Sequence, residues 1–90
     1  MADLTTRLSK RVARDFPEPG SAQEVARIVG ETSDSERIQA AIVLWGQGDL
    51  VRLLYAKRLA DEDWRDVLMQ ADLADDDWRD KLDAELGTSG

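Results

Sequence analysis

Eleven of the chain's nineteen carboxylates fall in its last 32 residues, where LADEDWRDVL (59–68) returns as LADDDWRDKL (73–82). Eight of the ten positions are identical, at a spacing of fourteen residues. So many side-chain oxygens invite two chemistries, binding of a hard cation and acid–base catalysis by paired carboxyl groups. A calcium loop needs oxygen ligands at alternate positions, Gly at the sixth and Glu at the twelfth. Counted from Asp61, the fifth, sixth and twelfth residues are Arg65, Asp66 and Asp72; counted from Asp75 they are Arg79, Asp80 and Leu86. Neither register supplies the glycine or the closing glutamate. Paired-carboxylate catalysis needs a cleft that separates two pKa values, and a 90-residue chain of short elements leaves little room for one.

The chain contains no histidine and no cysteine. That removes the commonest general base and metal ligand, together with thiol nucleophiles, thiolate zinc sites and disulfides. We therefore expect no enzyme: no catalytic, cofactor-binding or metal-ligating residues, and no cofactor. The opening MADLTTRLSKR lacks the apolar stretch of a secretory signal, and the longest apolar run, AAIVLW at 40–45, is far short of the roughly 20 residues that span a bilayer. A cytoplasmic protein with no membrane partner is the resulting expectation.

Nucleic acid is the next chemistry to weigh. Arg7, Lys10, Arg11 and Arg14 form a basic stripe at i, i+3, i+4 and i+7, and the GQGD turn joins two helical segments in the manner of a helix-turn-helix, with Arg52, Lys57 and Arg58 on the second. Against this stand a net charge of −7, concentrated in residues 59–90 with three basic and eleven acidic groups, and the scarcity of cations available for phosphate. The basic stripe is expected to face water or the acidic C-terminal segment of the same chain. Trp45, Trp64 and Trp78 each lie on an apolar stripe, so core packing is expected for all three, with Trp78 the most exposed.

The elements that would position these groups are all helical. Leu4, Leu8, Val12 and Phe16 recur every fourth residue behind a potential Asp3 cap, and FPEPG stops that helix. SAQE at 21–24 and SDSE at 33–36 read as capping boxes, with Gly30 placed to stop the second helix. Ile38, Ala41, Ile42 and Trp45, widened by Val43 and Leu44, mark a central helix ending at Gly46. Asp49 caps a helix from Leu50 that is apolar on more than one side, a pattern expected of a helix sandwiched between neighbours.

No Gly or Pro lies between Leu50 and Leu86, so one long helix must be weighed against several short ones. With Leu50 and Leu54 on the seam, at heptad positions d and a, a long coiled coil places Asp61 and Asp75 among its core residues, where a buried unpaired carboxylate costs several kcal/mol. As helix N-caps the same two residues are favourable, with Glu62, Asp63, Asp76 and Asp77 in first turns beside the positive end of the helix dipole. Pairs Asp61–Arg65, Asp75–Arg79 and Asp77–Lys81 would add i, i+4 support. The repeat is therefore expected to start two short helices, each with a Trp–Leu knob.

The segments RVARDFPEPGSAQEVARIV, SERIQAAIVLWGQGDLVRLL and DWRDVLMQADLADDDW resemble those of a family of small, uncharacterised all-helical bacterial proteins of actinobacterial type, over roughly residues 7–86. The resemblance implies an all-α single domain and supplies no activity, cofactor or catalytic residue. The expected fold is thus an all-α domain over 1–90, a compact bundle of five or six short helices at mixed angles, with residues 87–90 a frayed tail. The expected function is protein–protein interaction by a monomer, through the acidic helix starts at 61–66 and 75–80 and any exposed Trp, with a basic protein as partner. The alternative is a nucleic-acid-associated regulator using the basic first helix or the pair at 34–60.

Overall fold

A computed structural model describes residues 4–87. Six helices follow one another: α1 (Thr6–Asp15), α2 (Ser21–Thr32), α3 (Glu36–Gly46), α4 (Leu50–Glu62), α5 (Trp64–Gln70) and α6 (Trp78–Leu86), with no strand among the described residues. The architecture is the expected all-α bundle.

α3 lies at its centre and touches each of the other five helices. Ala40, Ala41, Ile42 and Val43 occupy four successive positions, more than a full turn, and all are fully buried. A helix buried all round needs apolar or small residues on every side, and the two alanines let neighbours approach. Gly46 has the same role at the crossing with α4, because a Cβ there would lie 3.1 Å from Leu53 Cβ. Around α3 gather Leu8, Val12 and Phe16 of the first segment, Val25 and Val29 of α2, Leu53 of α4, Val67 and Leu68 of α5, and Leu82 of α6. Buried Gln39 is satisfied, its Nε2 donating to the Ser33 carbonyl at 2.6 Å.

Several boundaries differ from the sequence expectations, each for a local reason. Asp3 lies outside the described residues; Thr5 caps α1, its hydroxyl accepting from Leu8 N–H. The box at 21–24 does not form. Gly20 is the N-cap, with φ 81° and no side-chain bond, and Ser21 is already helical, while Glu24 turns outward to pair with Arg27. Gly30 does not stop α2: it is buried inside the helix, which ends two residues later where Thr32 bonds back to the Ile28 carbonyl. The cap of α3 is Ser35 rather than Ser33; Ser33 instead accepts from Ser35 N–H. Asp49 caps α4 as expected, accepting from Val51 and Arg52 N–H.

α4 is not sandwiched. Only Leu53 and Ala56 are buried, while Leu50, Val51, Leu54 and Tyr55 are exposed. The packed neighbours α2, α3 and α5 leave its other side open. Gly87 is held by Arg7, which donates to its carbonyl at 2.8 Å; the rest of the expected frayed tail, 88–90, lies outside the described residues.

Candidate functional site

The two copies of the repeat both end in a short helix, as expected, but Asp61 and Asp75 are not the caps. In the first copy, Leu59–Glu62 forms the last turn of α4, and Asp63 closes α4 with its N–H to the Leu59 carbonyl while its carboxylate accepts from Arg65 N–H at 3.0 Å. Asp61 stays helical, paired with Lys57 at 2.5 Å, beside an Arg58–Glu62 pair at 3.3 Å. In the second copy, LADD is not helical. Asp72 takes a left-handed φ of 62°, Leu73 is buried in the connection, and the Leu73 carbonyl accepts from Arg37 Nε at 2.8 Å. Asp77 precedes α6 without a side-chain cap bond. Near-identical words fold differently because one is entered from a running helix and the other from a turn that Arg37 of α3 holds open. Of the expected i, i+4 pairs, Asp77–Lys81 forms at 3.6 Å; Arg65 reaches Asp63 instead of Asp61.

The basic stripe on α1 is largely consumed inside the molecule. Arg7 meets Glu36 through two bonds, Nε to Oε2 at 2.9 Å and Nη2 to Oε1 at 2.6 Å, and reaches Asp83 through Nη1 at 2.6 Å. These bonds hold the Glu36 carboxyl below its ordinary pKa and push the Arg7 guanidinium higher still. Arg11 bridges Asp15 at 3.0 Å and Glu85 at 3.4 Å. The stripe thus ties α1 to α3 and to the acidic α6, with Lys10 and Arg14 left facing solvent. In the helix pair at 34–60, Arg52 donates twice to the Trp45 carbonyl and stacks 4.2 Å over its ring, while Lys57 and Arg58 pair with Asp61 and Glu62. A recognition helix needs free donors, and here each of the three is engaged.

The tryptophans separate in an order opposite to that expected. Trp64 is the exposed one, 48% accessible with Arg65 above its ring. Trp78 is half-buried against the core, with the guanidinium groups of Arg37 and Arg79 5.0 and 4.5 Å from its centroid. Trp45 is also half-buried and meets Tyr55 at 5.4 Å between centroids. Core packing therefore fails for Trp64. Its copy of the repeat follows α4 directly, and Val67 and Leu68 already fill the contact α5 makes with the core.

What survives as a surface combines apolar and acidic groups. Leu50, Val51, Leu54 and Tyr55, at i, i+1, i+4 and i+5, form one patch on α4, and the same stripes run on through Arg58 to Asp61 and Glu62. Beyond lie exposed Trp64, Asp66 and Met69. Asp66, Asp75, Asp76 and Asp80 pair with no cation among the described residues. Lys81 is held by Asp72 at 3.0 Å, which raises its pKa. No group of three carboxylates among the described residues converges as metal ligands would. No described helix is long and apolar enough to cross a membrane. The α4 patch was missed by sequence reasoning, although its signal was present: a helix apolar on two sides can be exposed on one of them. No family model matches the chain, and no match to it was found among curated proteins or solved structures.

Proposed function

We propose that this is a non-catalytic cytoplasmic protein that works by binding another protein, and that the outward face of α4 with the acidic segment behind it is the contact surface. The observation that carries the reading is the concentration of large exposed side chains on α4 and α5: Leu50, Val51, Leu54, Tyr55, Trp64 and Met69. Contiguous apolar surface bordered by polar groups is characteristic of interaction sites, and aromatic residues dominate interface energetics. The border carries Asp61 and Glu62, each paired with a cation of α4, and Asp66, which pairs with none among the described residues. A partner that covers it has apolar residues flanked by Lys or Arg, and the charge pairing speeds and orients the encounter.

The test is capture from lysate of the source cells, using the wild-type chain beside a Val51→Glu/Tyr55→Glu variant. Both positions are exposed, so neither substitution opens the core, and an unchanged far-UV circular dichroism spectrum is the control that the fold is kept. We expect a Lys/Arg-rich protein to be retained by the wild type, to elute with rising salt, and to be lost by the variant. Retention of the same proteins by both forms would sink the proposal.

A further inference from the structure

The turn after α1, the start of α2 and the start of α4 enclose a groove of about 480 Å³. That is within the roughly 300–1,000 Å³ of small-ligand pockets. Its floor is Phe16, Pro17, Val25 and Leu50. Its rim carries Asp15, Glu18, Glu24 and Asp49, and neither Lys nor Arg lines it. Phe16 and Val25 belong to the core whereas Leu50 is 47% exposed, so the floor grades from the interior out onto the α4 patch. Gly48 permits this construction. It sits at φ +76°, and a Cβ there would come within 3.0 Å of the Asp15 carbonyl, so the two turns touch only because the side chain is missing.

We propose that this groove receives a Lys or Arg side chain from an apolar segment of a protein partner. Such side chains lay a methylene stem along apolar surface and keep the charged head at a polar edge. The rim has capacity for that head. Asp15 and Glu24 are shared with Arg11 and Arg27, but Glu18 pairs with no cation among the described residues, and Asp49 uses only Oδ1 as a cap. An anionic or purely apolar segment would leave Glu18 and the second oxygen of Asp49 without a cation. A second copy of this chain, with a net charge of −7, has the wrong sign. The inference rests on the reading of a basic partner and adds where its cation is received.

The experiment is a titration of the isotope-labelled full chain with a blocked peptide of alternating Leu and Arg, beside one with Glu in place of Arg, read by backbone amide shifts. Saturable shifts at Ser21, Val25, Asp49 and Leu50 are expected with the Arg peptide alone. Glu18→Lys should bind about tenfold more weakly, through like-charge repulsion at the rim. Glu18→Gln should move in the same direction by less, which guards against a fold defect in the reversal. Equal shifts with the Glu peptide, or silent groove amides, overturn the proposal. Shifts confined to Tyr55 and Arg58 overturn the groove while leaving the α4 surface standing. Shifts confined to the groove support it and count against that surface.

Discussion

Arg7 ties together three parts of the chain that lie far apart in sequence. Its guanidinium bonds Glu36 on α3, Asp83 on α6 and the Gly87 carbonyl, and its side chain is only 13% exposed. Replacing it by Met keeps the stem and removes five donors, leaving Glu36 without its cation. Charge-assisted bonds of this kind are worth about 1.5–3 kcal/mol, so Arg7→Met should lower unfolding free energy in urea by about 2 kcal/mol. The carboxyl side makes a pH prediction. Arg7 holds Glu36 below its ordinary value of 4.5 in the folded chain. Its contribution is therefore complete above the ordinary carboxylate range and is lost as pH falls through the depressed folded value, because the unfolded chain takes the proton first. Glu36→Gln should be less stable at neutral pH and lose less stability on acidification; parallel acid limbs for the two proteins would contradict this. The pairing was half legible in the sequence. A basic stripe and an acidic tail in one chain suggest attraction, but Glu36 reads locally as a cap residue, and its engagement with Arg7 depends on how α1 crosses α3.

At the scale of elements, the repeat is the instructive case. Two decapeptides that differ at two positions supply a helical turn in one place and an irregular connection in the other. Local signals were sufficient to say that a helix begins within each copy, since carboxylates beside a helix start are favoured and a coiled-coil seam with two Asp is not. They were insufficient to choose among adjacent aspartates. In the first copy the i, i+4 pairs Lys57–Asp61 and Arg58–Glu62 sustain α4 to Glu62, which passes the capping role to Asp63. Asp63→Ala should accordingly cost about 1 kcal/mol and weaken amide protection in α5. Asp61→Ala should stay within about 0.5 kcal/mol, as expected for one exposed pair. Equal costs for the two would show that the boundary is misplaced. The same slippage by two residues occurs at Ser33 and Ser35, where two hydroxyl residues compete and the one nearer the apolar run becomes the cap.

For the whole molecule, the decisive feature is a single buried helix in contact with all the others. The radius of gyration, 11.7 Å, matches the about 12 Å expected of one packed domain of this length. Ile42 is fully buried on α3, and truncating such a side chain costs about 2–5 kcal/mol. A domain of this size has about 5–13 kcal/mol in total, so Ile42→Ala should take up a large share of it. Because every helix leans on α3, far-UV circular dichroism and tryptophan fluorescence should report one coincident transition in the variant as in the wild type. A separate early transition of α6 alone would show that the ion pairs from α1 do not couple it to the core.

Helical class, the number of helices within one, the Asp49 cap, the core stripe Leu8–Val12–Phe16 and the centrality of residues 38–45 follow from periodicity, capping chemistry and breakers, all of which act within a few residues. The exposed face of α4, the exposure of Trp64 rather than Trp78, and the bonding of Arg7 to Glu36 do not. They depend on which surfaces remain after the helices have packed. In a chain with more apolar positions than one small core can hold, sequence marks a residue as able to be buried, and only the tertiary arrangement decides which of them stay outside.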